Sequence, residues 1–175
     1  MAEHSAEIGG VPIFWRDAEG PLGPDGAATL YVHGVPTSSA EWKPFLQRAG
    51  GIAPDLPGFG ASAKRGDLDY SIEGYDRFIE SFLDHLALER VNLVVHDWGT
   101  VGLAFAQRRP ERIARLVVID AVPLLPGYRW HRVARMWRRP VVGELAMGST
   151  TRVVMRRTEA PGPAQARGCG RGVRT

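Results

Sequence analysis

Val91-Asn92-Leu93-Val94-Val95-His96-Asp97-Trp98-Gly99-Thr100 is the stretch on which the fold turns. VNLVV is a short apolar run rich in β-branched residues, which marks a buried strand. Thr100 to Arg108 reads as a helix halted by Pro110. His96-Asp97-Trp98-Gly99 therefore lies where a strand turns sharply into a helix. Such a turn lifts one side chain clear of a sheet and presents it as a nucleophile. Here that side chain is Asp97. Gly99 allows the close packing the turn needs, while Val95 stands where the pattern usually has glycine. A carboxylate is ionised at neutral pH, so it attacks an alkyl carbon without a base to deprotonate it. A simpler role also fits Asp97, namely capping the helix that follows.

Outward from this turn, strands and helices alternate. Val11 to Trp15, Ala28 to Val32, the weaker Gly51 to Pro54, and Leu116 to Ile119 are further strand candidates. Ser71 is placed to cap a helix in which Ile72, Tyr75, Ile79, Phe82 and Leu86 recur at spacings of three and four. Alternation of this kind predicts an α/β fold with a mostly parallel sheet and helices on both faces. The start, Met1 to Gly10, reads as polar and lacks the apolar stretch of a secretory signal.

A second motif follows the Ala28 to Val32 strand: Tyr31-Val32-His33-Gly34-Val35-Pro36-Thr37-Ser38-Ser39. A loop at this place donates one backbone N–H to an oxyanion hole, and the residue after the nucleophile donates the other. By position the donors are Val35 and Trp98. Two N–H groups aimed at one oxygen stabilise charge that develops there. The plainer alternative is a Gly-Pro turn with a buried His33.

HGVPTSSAEW (33–42), DLPGFGASAK (55–64) and VVHDWGTVGLAFAQRRPERI (94–113) resemble the haloalkane dehalogenase and epoxide hydrolase branch of the α/β-hydrolase superfamily, from about Val11 to about Met155. The resemblance implies attack by Asp97 on a haloalkane or epoxide, followed by hydrolysis of the resulting aspartyl ester by water activated at a histidine. It implies a small apolar substrate lined by His33, Gly34 and Pro36, a Trp98 indole that holds halide, and no metal or organic cofactor. Asp120, at the end of the Leu116 to Ile119 strand, matches the place where some dehalogenases carry the acid behind the histidine, and it equally suits a loop cap. Val35 replaces the asparagine that serves some dehalogenases as a second halide donor, which leans toward epoxide chemistry or a donor from the cap. Of the five histidines, only His131 follows Asp97, and it precedes any strand able to carry the base. His96 adjoins Asp97, so its side chain is expected on the opposite side of the strand.

Composition frames these readings. The chain has 175 residues, 44% of them hydrophobic, enough for one domain with a core. No run reaches the roughly 18 apolar residues of a membrane span. The single cysteine, Cys169, excludes an internal disulfide and a cysteine zinc site. The expectation is a cytoplasmic protein with no nucleic-acid or membrane partner and an oligomeric state the sequence does not give. Residues 1–128 carry 11 Lys and Arg against 17 Asp and Glu, net −6; residues 129–175 carry 11 Arg against two acids, net +9. Trp130, Val133, Met136 and Trp137 sit at helical spacing among arginines. The expected domains are a core at 1–120, the start of a helical cap at 121–157, and a disordered Gly, Ala, Pro and Arg tail at 158–175. A truncated gene or a shifted reading frame would produce such a tail, and the expectation is then a fold incomplete at the C-terminus. Three functions then compete: an active hydrolase, a fragment that is alkylated without turning over, and a non-enzymatic protein that binds a partner through its basic C-terminal half.

Overall fold

The computed structural model describes residues 1–21 and 26–122, with Arg129, Arg135, Arg139 and Val141 as isolated further positions. The chain divides into two compact units, Met1–Leu125 and Pro126–Thr175. The cap helices, His131 and the tail anticipated from the sequence lie outside the described residues. Arg129, Arg135, Arg139 and Val141 are exposed.

The first unit is a six-stranded sheet in the order β1-β2-β4-β3-β5-β6. Its strands are β1 (Ala2–Ile8), β2 (Val11–Ala18), β3 (Ala28–Val32), β4 (Gly51–Pro54), β5 (Val91–His96) and β6 (Ile113–Ile119). Its α-helices are α1 (Lys43–Ala49), α2 (Ile72–His85) and α3 (Gly102–Arg108). Strands β4, β3, β5 and β6 run parallel, while β1 and β2 form an antiparallel hairpin and β2 is antiparallel to β4. Met1 to Gly10 is thus not a plain polar lead-in. Its residues alternate between exposed and covered, as an edge strand does, and Gly9 and Gly10 take the positive φ values of 58° and 78° that a tight hairpin turn requires.

The period of two along the strands sorts the core into two layers. Leu30 and Val32, with Leu93 and Val95, pack beneath Tyr75, Ile79, Phe82 and Leu83 of α2 and Phe105 of α3. Tyr31 and Val94 face the other way, toward Leu46 of α1 and Trp42 in the 3-10 turn (Ser39–Trp42) just before it. Helices therefore cover both faces. Ser71 caps α2 by accepting from the Gly74 N–H at 3.0 Å. The region expected to be one helix from Thr100 starts earlier, as a 3-10 turn over Asp97–Val101 that passes into α3.

Among the described residues, no strand pairs with the outer edge of β6. Leu116, Val117 and Val118 are 45%, 48% and 46% exposed, so apolar side chains on both faces of this strand meet solvent. Among the described residues, no group of three or more His, Cys, Asp and Glu is placed to hold a metal ion. None of the described helices is long and apolar enough to cross a membrane.

Candidate active site

Strands β3, β5 and β6 are parallel neighbours, so their C-terminal ends meet along one rim of the sheet. Ligands in open α/β sheets bind at this rim. Val35 leaves β3 there, Asp97 leaves β5, and Asp120 leaves β6.

Asp97 has φ of 49°, a left-handed conformation that a non-glycine residue adopts at a cost of about 1–3 kcal/mol. The surroundings enforce it. A Cβ on Gly99 would come within 2.3 Å of the Val32 carbonyl oxygen, so the turn presses directly on β3 and only glycine fits. Thr100 Oγ1 donates to the Asp97 carbonyl at 2.8 Å and the Val122 N–H donates to it at 3.3 Å, tying the segment after β6 to the turn. Val95, where glycine is usual, is fully buried, and its space is made by Gly102 on α3, where an added Cβ would lie 3.3 Å from Val95 Cγ1.

Val35 N–H donates to Asp97 Oδ1 at 2.9 Å. The first anticipated oxyanion donor thus already holds one oxygen of Asp97. Gly34 approaches so closely that a Cβ there would sit 2.7 Å from Asp97 Cβ. Trp98, the second anticipated donor, occupies the next position of the 3-10 turn, half-buried against the main core. Pro36 is half-buried behind a cis Val35–Pro36 bond. Asp120 is exposed at the end of β6, with a positive φ of 42°.

His33 differs from expectation. It is fully buried and both ring nitrogens are used within the protein. The Leu56 N–H donates to Nε2 at 2.9 Å, so Nε2 carries no proton, and Nδ1–H donates to the Gly34 carbonyl at 2.7 Å. Burial pushes its pKa down, in keeping with this neutral form. His33 therefore fastens the loop to the end of β4 rather than lining space for a substrate.

Sequence reasoning missed Glu41. Its Oε1 accepts from the Gly34 N–H at 3.2 Å and lies 3.1 Å from His96 Nδ1, and its Oε2 accepts from Thr37 Oγ1. The His96 ring meets Glu41 and Trp42, the latter at 6.2 Å between ring centres. Ser38-Ser39-Ala40-Glu41 has the form of a capping box, and that was the available signal. Ser38 does cap the turn by accepting from Ala40 N–H, but Glu41 reaches past its own cap to Gly34.

With this geometry in place, comparison with known proteins gives the class. Residues 30–145 match the alpha/beta hydrolase fold family, and the chain belongs to that family. Within it, the similarity is to haloalkane dehalogenases. The chain is 37% identical over 137 residues to a haloalkane dehalogenase of Mesorhizobium japonicum, covering 70% of this chain and 43% of that one. It is 35% identical over 158 residues to one of Mycolicibacterium paratuberculosis, covering 81% and 51%. The crystal structure of the haloalkane dehalogenase DbeA from Bradyrhizobium elkani superposes with a TM-score of 0.72 at 28% identity, covering 83% of this chain and 53% of that one. An ancestral haloalkane dehalogenase gives 0.70 at 31%, covering 82% and 53%. The chain spans about half the length of the curated relatives it matches.

Proposed function

We propose that this chain carries the nucleophile side of a haloalkane dehalogenase-type hydrolase and acts on small apolar haloalkanes through Asp97. The carrying observation is the 2.9 Å hydrogen bond from Val35 N–H to Asp97 Oδ1. One carboxylate oxygen is held by the loop, which leaves Oδ2 as the attacking atom. A lone pair of Oδ2 forms the new bond to the sp³ carbon, the carbon–halogen bond breaks, and the halide departs with its electron pair. The product is an aspartyl ester whose carbonyl oxygen is Oδ1, already beside the donor that stabilises it during hydrolysis. Trp98 supplies the second backbone donor and an indole N–H toward the halide. Gly34 and Pro36 line the rim.

Hydrolysis of the ester calls for a base to activate water. His33 is spoken for at both nitrogens and His96 points its Nδ1 at Glu41. On this proposal neither of these two described histidines activates water, and the ester is expected to outlast its formation. The relatives' names favour carbon–halogen over epoxide chemistry. Incubation with 1-bromobutane, with released bromide counted against protein, tests the reading. The expected result is bromide release up to about the molar amount of protein, with none from Asp97→Asn. Equal release from wild type and Asp97→Asn would overturn it.

A further inference from the structure

Gly34 C=O and Val35 N–H belong to one peptide group, and in a trans peptide they point in opposite directions. Whatever grips the Gly34 oxygen therefore aims the Val35 N–H at Asp97. Three groups close on it: His33 Nδ1–H donates at 2.7 Å, Thr37 N–H donates at 3.2 Å, and the Thr37 hydroxyl, 2.8 Å away, shares its single proton between this oxygen and Glu41 Oε2. Thr37 in turn is held by Glu41 Oε2, while Glu41 Oε1 takes the Gly34 N–H on the near side of the same residue. One carboxylate thus fixes Gly34 from its own N–H and from the hydroxyl on its carbonyl. Through His96 Nδ1 at 3.1 Å it is also anchored to the strand that carries the nucleophile. Glu41 bridges the donor loop and the nucleophile's strand, which are 55 residues apart at that contact.

We infer that Glu41 is the positioning residue of the site: it holds the Gly34–Val35 peptide so that its N–H meets Asp97 Oδ1. It touches no reacting atom. Its side chain keeps 19% of its surface in solvent, enough to lower the cost of burying a charge that is also met by three donors. The inference rests on the reading of Asp97 as nucleophile, but its geometry can be read without it.

Glu41→Ala removes the clamp. Glu41→Gln keeps it, because the amide oxygen accepts from Gly34 N–H and His96 while the amide N–H₂ donates to Thr37 Oγ1. Under single-turnover conditions with 1-bromobutane, the maximal alkylation rate of Glu41→Ala is expected to fall about 10- to 100-fold, the scale of a misplaced reacting group. The half-saturating concentration stays close to that of wild type, and Glu41→Gln recovers most of the rate. Amide hydrogen exchange of Val35 is expected to speed up in Glu41→Ala and to remain slow in Glu41→Gln. A Glu41→Ala rate within about twofold of wild type, or equal losses in the two variants, would overturn the inference. If wild type forms no adduct, the nucleophile reading fails while Val35 exchange still decides the role of Glu41. If Glu41→Ala does not fold, Thr37→Val, which removes the hydroxyl on the Gly34 oxygen, is expected to show the same split between rate and half-saturation. An unchanged Thr37→Val rate would then count against the clamp.

Discussion

Val35 and Asp97, 62 residues apart in sequence, share a 2.9 Å hydrogen bond from backbone amide to carboxylate oxygen. Two loops leaving neighbouring parallel strands are joined there, and the contact gives Asp97 two unlike oxygens. Oδ1 is held by the loop, and in the proposed reaction Oδ2 is the atom that attacks. The left-handed backbone of Asp97 serves the same end, since it turns the side chain out over the rim of the sheet.

Asp97→Asn separates chemistry from fold. Asparagine tolerates positive φ better than most residues and its amide oxygen still accepts from Val35. Thermal stability is expected to stay within about 0.5 kcal/mol of wild type, while alkylation is lost. Calorimetry alongside bromide release checks this, and a strongly destabilised variant would show that the carboxylate charge holds the turn together.

The two glycines that frame Asp97 should fail differently. Gly99→Ala drives a Cβ to 2.3 Å from the Val32 carbonyl, backbone against backbone, and is expected to cost about 1–3 kcal/mol or more. Gly34→Ala instead meets the Asp97 side chain, 2.7 Å from its Cβ and 2.9 Å from Oδ1. It is expected to damage alkylation more than stability. Urea unfolding and adduct formation on the pair measure the contrast.

Acid should loosen the loop through His33. Burial lowers its folded pKa below the usual imidazole value of 6.5. The unfolded chain then takes up the proton first, so this stabilisation is full above 6.5 and is lost as pH falls from there through the folded value. Protonation sets an Nε2 proton against the Leu56 N–H and breaks the tie to β4. Asp69 and Glu80, held low by hydrogen bonds from Ser71 and Arg108, act only further down, below their usual 3.8 and 4.5. NMR titration of the His33 ring together with urea unfolding tests the window. A His33 that titrates above 6.5 would contradict it.

Much of this was legible in the chain. Strands β5 and β6 and the Ser71-capped helix α2 follow directly from β-branched runs and a spacing of three and four, while β4, with Ile52 its only β-branched residue, is a weaker signal. Asp97, Val35 and Gly99 follow from a motif whose spacing the turn geometry dictates. Strand β1 was not legible because an exposed edge strand needs few apolar residues, and Ile8 alone of its seven is buried. For His33 the sequence offered both a substrate-facing and a buried reading, and could not choose, since the two share the same letter in the same loop; the structure shows the buried one. Glu41 escaped because its spacing from Ser38 reads only as a helix cap, while its contact with His96 joins residues 55 apart that no local pattern connects.

The outer edge of β6, unpaired among the described residues, predicts behaviour in solution. Exposed apolar strand edges promote association. Val117 is 48% exposed, so Val117→Lys removes little packing and is expected to change stability by no more than about 0.5 kcal/mol. Sedimentation velocity should show less self-association for the variant than for wild type. Equal association would place the sticky surface elsewhere.

Peptide mass mapping after exposure to 1-bromobutane tests the central claim most directly. The account predicts a single butyl ester on Asp97, stable through work-up and absent from Asp97→Asn. An unmodified Asp97 after prolonged exposure, or a butyl group found only on another residue, would contradict it.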